Sequence, residues 1–495
     1  MIDTIMFKKP TKRQFLIRRI FFSAVATFAV LIIVTSAILF MLGFRLDGLN
    51  GRLEQGALLQ FDSAPSGADV YIDGKNIGSR TATKQTVIAG THTIKMSKSG
   101  YQDWSRTLTI SAGTLTWLDY TRFVPKDRPV QTITTHETLS GMKISPDSKW
   151  ALLQPISSEP EFQLADLRSE DVKTNVLTLP AATYADAGVE GVTHSFSISS
   201  WDSGSRYALV KHLYRDQTEW LVVDTQNPTQ TISATQLLSV GFADLQFAST
   251  NGKVLYGLTN DGTIRKIDLA AATLSRAFIS HVESFSVFDN TVLSYVGLDS
   301  SDATKRVAGV YRDGDESAHV LRSVSDENTV LKIATGRYFS DDYVAIAEGD
   351  VVTLLKGSYP SSSSQDNSSL KTLTTFELSG AVSALSFSPK GDYVIAQSGE
   401  SYKSYEIEHQ RTATGMIAVT AGSPASTLKW LDVAHLWNDD AGTLTMRDFD
   451  GSNVFSIMTV ATGYDAGLSQ NGRFFYAIGH DEKGYHLQRV KMILE

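Results

Sequence analysis

Phe387-Ser388-Pro389-Lys390-Gly391-Asp392-Tyr393-Val394-Ile395-Ala396 decides how most of this chain is read. An apolar residue enters a tight reversal and an apolar run leaves it. Pro presets φ and Gly tolerates positive φ, so the reversal costs little. The phrase recurs as Ile144-Ser145-Pro146-Asp147-Ser148-Lys149-Trp150-Ala151-Leu152-Leu153. It returns as Phe247-Ala248-Ser249-Thr250-Asn251-Gly252-Lys253-Val254-Leu255-Tyr256, and again as Leu468-Ser469-Gln470-Asn471-Gly472-Arg473-Phe474-Phe475-Tyr476-Ala477. A second turn and a further strand follow, as in Asn260-Asp261-Gly262-Thr263-Ile264-Arg265-Lys266-Ile267-Asp268-Leu269.

Strand, turn, strand, turn, strand is the pattern of one propeller blade. Units begin near Leu139, His194, Phe242, His281, Val330, Ala381, Ser426 and Tyr464, about 46 residues apart on average, which is the period of such blades. The count is eight, with seven as the alternative because 281–370 is ambiguous. Residues 126–495 hold no convincing amphipathic helix. Val130-Gln131-Thr132-Ile133 is placed to pair with the last unit around Tyr485, Leu487 and Val490. Such pairing would close the ring and leave no long free sheet edge. The repeats resemble the WD40-like (PD40/TolB-type) β-propeller family over 125–495, although no unit carries a true Trp-Asp ending.

Outside the repeats, composition narrows the possibilities. The chain has 495 residues, 42% hydrophobic and 20% charged, which excludes wholesale disorder. It has no cysteine. Disulfide scaffolds, thiolate metal sites, c-type haem attachment and a cysteine nucleophile are therefore excluded. The net charge of −8 is unevenly spread. Residues 1–44 carry Lys8, Lys9, Lys12, Arg13, Arg18 and Arg19 against Asp3, a balance of +5, which leaves −13 on the remainder. An acidic body lacks the clustered cations that phosphate binding needs, so no nucleic acid partner is expected.

The basic head precedes Ile20 to Phe44, IFFSAVATFAVLIIVTSAILFMLGF, which carries no charge. At about 1.5 Å rise per residue, 25 helical residues cross a hydrocarbon core of about 30 Å. The run is longer than a signal-peptide core and ends without a small-x-small cleavage pattern. Residues 1–19 read as a cytoplasmic basic stub, 20–44 as an uncleaved membrane anchor and 45–56 as a juxtamembrane linker. The positive-inside bias places the N-terminus in the cytoplasm and 45–495 outside the plasma membrane.

From Ala57 to Val124 the pattern is short alternating runs with Gly punctuation. Val70-Tyr71-Ile72, then Asp73-Gly74, then Lys75-Asn76-Ile77-Gly78 is a hairpin signal. Thr91 to Met96 and Thr107 to Ile110 alternate with period two, so 57–124 reads as a compact antiparallel β-sandwich. Tyr101 and Trp104 are expected in its core, and His92 as a structural, satisfied histidine. Ser63-Ala64-Pro65-Ser66-Gly67-Ala68-Asp69-Val70-Tyr71-Ile72-Asp73-Gly74, followed by Ala89-Gly90-Thr91-His92-Thr93-Ile94 and Ser99-Gly100-Tyr101, resembles the PEGA domain. Ser66 stands where that pattern has Glu. The resemblance implies a small β module of surface and envelope proteins and carries over no catalytic residue.

Motifs of chemistry are sparse. There is no G-x-S-x-G elbow, and Gly467-Leu468-Ser469-Gln470-Asn471 lacks the closing Gly. No H-x-H or H-E-x-x-H, EF-hand, Walker A or dinucleotide fingerprint occurs. The doublets Asp341-Asp342 and Asp439-Asp440 read as solvated loop tips, and Gly357 to Ser369 as a flexible low-complexity loop. No blade stands out in His, Arg or Asp. No catalytic, cofactor-binding or metal residue and no cofactor are expected, and the sequence assigns no binding residues. The expectation is an all-β chain: a single transmembrane helix, a PEGA-like sandwich, then a seven- or eight-bladed propeller. It would serve as a non-enzymatic, membrane-anchored scaffold of the prokaryotic envelope with an envelope-protein or cell-wall partner. A cell-wall glycan or peptide binder and a propeller hydrolase or lyase are the alternatives.

Overall fold

The computed structural model describes residues 11–41, 44–46, 53–326, 328–361, 369–419 and 424–494. The first ten residues of the basic stub, residues 47–52 of the linker 45–56, and residues 362–368 of the low-complexity run lie outside the described residues. Two compact units are present, Met1–Phe123 and Val124–Glu495.

The first unit opens with a helix, Lys12–Met41. Within it, Phe15–Leu39 is long and apolar enough to cross a membrane. Its apolar side chains are exposed all round, Phe21, Phe28, Leu31 and Ile33 among them. A helix apolar on every side and unburied by protein suits lipid. The helix differs from the expected span of Ile20 to Phe44 at both ends. It starts earlier because Arg18 and Arg19, good helix formers, carry the helix back across the edge of the charge-free run to Phe15, Leu16 and Ile17. It stops at Met41, and Phe44 belongs to a strand, Phe44–Leu46, paired with Leu53–Gln55.

The rest of this unit is two four-stranded sheets. One contains Phe44–Leu46, Leu53–Ala64, Thr83–Ile88 and Leu115–Arg122; the other contains Lys75–Arg80, Asp69–Ile72, Gly90–Ser97 and Trp104–Ile110. Alternate residues of both point inward, and Leu59, Phe61, Val70, Ile94, Met96, Trp104 and Leu118 form one buried core. Tyr101 and Trp104 are core aromatics, as the sequence indicated. The hairpin turns at Asp73 (φ 51°) and Gly74 (φ 78°), where two consecutive positive values match the twist of the flanking strands. The sandwich is not wholly antiparallel: Leu53–Ala64 and Leu115–Arg122 pair in parallel. After Trp104–Ile110 the chain crosses from one sheet to the other, and that crossover sets the direction.

The second unit contains eight four-stranded sheets among the described residues, and their first strands begin at Gly141, His194, Phe242, Val282, Leu331, Ala384, Lys429 and Gly467. The starts expected from the repeat lie within three residues of these. The ambiguous stretch 281–370 holds two complete sheets. Blades 1 to 7 each run in chain order. Blade 8 takes three strands from the C-terminal end and a fourth, Gln131–His136, from the beginning of the unit. Tyr485 faces His136 and Arg489 faces Gln131, so the anticipated closing strand does close the ring.

The inner strands explain the apolar runs of the sequence. Each sheet is packed on both faces, so successive residues are buried on alternate sides. In blade 5, Tyr343, Ala345 and Ala347 pack with Val394 and Ala396 of blade 6, while Val344 and Ile346 pack with Val292 and Val296 of blade 4. The junctions continue round until Phe474, Tyr476 and Leu487 of blade 8 meet Met142, Ala151 and Leu153 of blade 1. That last junction makes the unit a ring, a β-propeller of eight blades.

The repeated phrase has a structural job. The Ser145 hydroxyl accepts the N–H of Trp150 at 3.0 Å; Ser249, Ser388 and Ser469 accept from Val254, Tyr393 and Phe474 at 3.2, 3.1 and 3.0 Å. Each bond spans five residues and satisfies an amide the turn would leave unpaired, a contribution of about 1 kcal/mol. Blade 2 carries a fifth copy, in which Asp202 Oδ1 accepts from Tyr207 at 2.7 Å. In blade 6 the turn needs glycine: Gly391 has φ 78°, and a Cβ there would lie 2.1 Å from the Arg337 carbonyl of blade 5.

Candidate functional site

The first strands of several blades contribute serine, acidic, amide and apolar side chains to two cavities. At their finishing ends a cavity of about 500 Å³ is bounded by Ser199, Ser200, Trp201, Asp244, Gln246 and Asp289, with Pro146 of the blade 1 turn. At the starting ends of blades 4 to 6 a cavity of about 320 Å³ is bounded by Ser284, Ser286, Lys332, Ile333, Ser383 and Leu385. Asp244 is the desolvated acid of the first cavity. Burial raises its pKa, against hydrogen bonds from Gln246 Nε2 at 3.1 Å and the Leu245 amide, and the Lys211 charge. A carboxyl under that pressure gains from a donor or cation brought into the cavity.

Blade 2 holds the most polar interior cluster. His212 and Glu219 are 0% exposed and sit opposite one another on adjacent strands. Glu219 Oε2 contacts His212 Nδ1 at 2.7 Å and accepts the Ala185 amide at 3.0 Å. Its Oε1 accepts from Ser233 Oγ and Gln236 Nε2, each at 2.6 Å. Burial pushes the Glu219 pKa up, but these four donors outweigh it and hold the carboxyl below its ordinary range. A carboxylate surrounded only by donors is the ionised form.

The far nitrogen of His212 meets His194 Nδ1 at 2.9 Å, and His194 in turn bonds the Asp186 carbonyl. Three hydrogen bonds therefore run from the Glu219 carboxylate to that carbonyl. Burial, followed by the neighbouring His212, lowers the His194 pKa. Phe196 stacks on His212 with ring centroids 4.4 Å apart, Tyr214 lies near-parallel to it at 5.0 Å, and Tyr184 meets it edge-on at 5.4 Å. His194 also borders a surface cavity of about 550 Å³ with Thr193, Tyr214 and Arg215.

The sequence reading that no blade stands out is corrected here. His194, His212 and Glu219 are dispersed along the chain, and only sheet register gathers them. The hairpin around Arg215-Asp216 carried a signal: 212 and 219 lie symmetrically about it, as pairing requires. Among the described residues the ring partners are each other, Glu219 and a backbone carbonyl. The relay thus pins the connecting segment around Ala185 and Asp186 to blade 2, and Arg215 adds an ion pair to Asp186 at 2.5 Å.

The residues singled out from sequence are structural in their surroundings. His92 Nδ1 contacts Asp73 Oδ2 at 2.7 Å and Nε2 contacts the Ile88 carbonyl at 2.8 Å. Asp341 pairs with Lys356 at 2.9 Å, and Asp342 with Arg337 at 2.8 Å and the Tyr359 amide at 2.8 Å. Asp439 accepts the Gly463 amide at 2.7 Å. Both doublets organise turns and strand ends rather than stand free in solvent. Among the described residues no three acidic or histidine side chains gather in a metal-holding arrangement.

Residues 57–123 match the PEGA domain family. No curated protein matches the chain in sequence. Among solved structures, the β-propeller domain of Cps50 (Swd1) from Myceliophteria thermophila is similar at 9% identity and a TM-score of 0.40, covering 73% of this chain and 99% of that one.

Proposed function

We propose that this chain is a single-pass scaffold of the prokaryotic cell envelope, held by its N-terminal helix with the PEGA module and the propeller outside the plasma membrane. A PEGA module beside a closed propeller supports a protein-interaction or scaffold role. The observation that carries the anchor is the helix Phe15–Leu39, apolar and uncovered by protein, with Lys12, Arg13, Arg18 and Arg19 at its start. The ring offers turns from eight blades on a rigid frame, the usual placement of interaction residues. On this reading blade 2 keeps its charged relay for architecture and does not use it for turnover.

The absence of cysteine makes the test clean. Ser325 lies exposed after a blade 4 strand. A Ser325→Cys variant should react with a membrane-impermeant maleimide in intact cells, and a Thr4→Cys variant only after lysis. The reverse pattern, or protection of both, would contradict the topology. A second reading, a binder of envelope glycan or peptide, is favoured by the cavity around Asp244, where Ser199, Ser200, Gln246 and Asp289 stand beside Trp201. Binding of soluble cell-wall fragments that Asp244→Ala abolishes would support it.

A further inference from the structure

The outer face of the module's first sheet carries exposed apolar side chains. On adjacent strands Gly56 faces Ile88, Leu58 faces both Thr86 and Leu115, and Gln60 faces both Lys84 and Trp117. Paired residues share a face, so Ile88, Leu58, Leu115 and Trp117 form one apolar strip. Ile88, Leu115 and Trp117 are 54%, 41% and 40% exposed. Arg45 and Glu54 face one another on the rung before Gly56, at the helix end of the same face; further along, Lys84 stands level with Trp117, and exposed Asp119 follows two residues beyond Trp117.

The apolar strip begins one rung beyond the end of the sheet tied to the helix. Phe44 faces Gln55, the residue before Gly56. Only residues 42 and 43 separate the helix end, Met41, from Phe44. Three Cα steps reach at most about 11 Å. The headgroup layer outside the hydrocarbon is about 5–7 Å thick on each side. The sheet therefore begins in or just above that layer, whatever the path of the two residues. A charged rung nearest the span, then exposed aliphatic side chains, then Trp with Lys, is a mixture that lipid headgroups and the boundary beneath them accept.

We infer that the PEGA module lies with this face on the headgroup layer of the membrane its own helix crosses, with Ile88, Leu115 and Trp117 in contact with lipid. The inference rests on the anchor reading above and goes beyond it, since a module standing on end would also be anchored. Successive rungs are about 7 Å apart, so a sheet on end lifts Leu115 and Trp117 out of the headgroups, and only a sheet laid over keeps them there.

The test uses the full chain in phosphatidylcholine vesicles that carry a spin label on the headgroup or deep in the acyl chain. Single cysteines at Leu115, at Thr107 on the exposed face of the other sheet, and at Leu31 within the helix each carry a fluorophore. The Leu115→Cys probe should be quenched several-fold more by the headgroup label than the Thr107→Cys probe, and Leu31→Cys by the acyl label. Quenching at 115 no greater than at 107, with 31 quenched, would overturn this inference and leave the anchor intact. Loss of quenching at 31 would overturn both. Ile88→Cys repeats the measurement should the Leu115 variant fail to fold.

Discussion

The PEGA module and the propeller write the same kind of strand into sequence in two different ways. The module is specified by particular residues at particular turns, and two sheets share a single core around Trp104, Phe61 and Ile94. The propeller is specified by a period, and no one junction holds its core. Its hydrophobic clusters sit between successive blades, from Leu152 and Val210 between blades 1 and 2 to Trp437 and Phe475 between blades 7 and 8. A motif is readable from one copy, whereas a degenerate repeat is readable only from spacing.

The two units also treat charge differently. The module keeps its histidine near the surface, where His92 joins Asp73 across a hairpin. Blade 2 buries Glu219 with His212 completely. Removing one member of a buried pair strands the other, and this gives the largest effect expected here. Glu219→Ala should destabilise the propeller by about 3–5 kcal/mol in denaturant unfolding. A loss under 1 kcal/mol would show that the relay is not the ionised network derived from its donors.

Trp104→Ala should cost the module about 3–5 kcal/mol, because a fully buried aromatic leaves a cavity its sheets cannot fill. The propeller's unfolding midpoint should not move. A joint shift of both transitions would break the comparison, since it would mean that the units share one cooperative core. In the propeller, Ser388→Ala removes a single turn acceptor and should cost about 1 kcal/mol. A similar loss at Ser145, Ser249 and Ser469 would show that the phrase has one meaning in every blade.

The smallest effect is pH-dependent and belongs to the module. Burial works to lower the His92 pKa, but the bonds to Asp73 and the Ile88 carbonyl raise it above its ordinary 6.5. The Asp73 pKa lies below 3.8, held down first by the Thr93 amide and then by His92. A raised histidine stabilises fully below 6.5 and loses that contribution as pH rises through the folded value; a lowered aspartate contributes above 3.8 and loses it as pH falls. The module should therefore be most stable between these limits and weaken as pH rises through the raised His92 value. His92→Gln should flatten the alkaline side of a melting-temperature profile. An unchanged profile would remove His92 from the account.

The closing strand and the hairpin at Asp73-Gly74 were legible, and the blade count was narrowed to eight or seven, because turn chemistry and period are local or additive. The fifth turn, Asp202-Ser203-Gly204-Ser205, escaped because Asp replaces the Ser that marks the other four, although its carboxylate accepts the same amide. The parallel pair of the sandwich escaped because strand direction depends on a crossover, which residue alternation does not encode. The relay of Glu219, His212 and His194 escaped because three dispersed residues become neighbours only through register. The cavity around Asp244 draws on four blades and is a property of the ring alone.

Ring closure is the claim on which the rest stands, because an open stack of blades offers neither a central cavity nor a rigid scaffold. Thr135 Oγ1 and His486 Nδ1 lie 2.9 Å apart across the closing pair, 351 residues apart in sequence. In this cysteine-free chain, Thr135→Cys with His486→Cys should form an intramolecular disulfide under mild oxidation and migrate faster on non-reducing gels. Each single variant should remain unchanged. A double variant that stays reduced, or links only between molecules, would contradict the closed eight-bladed ring.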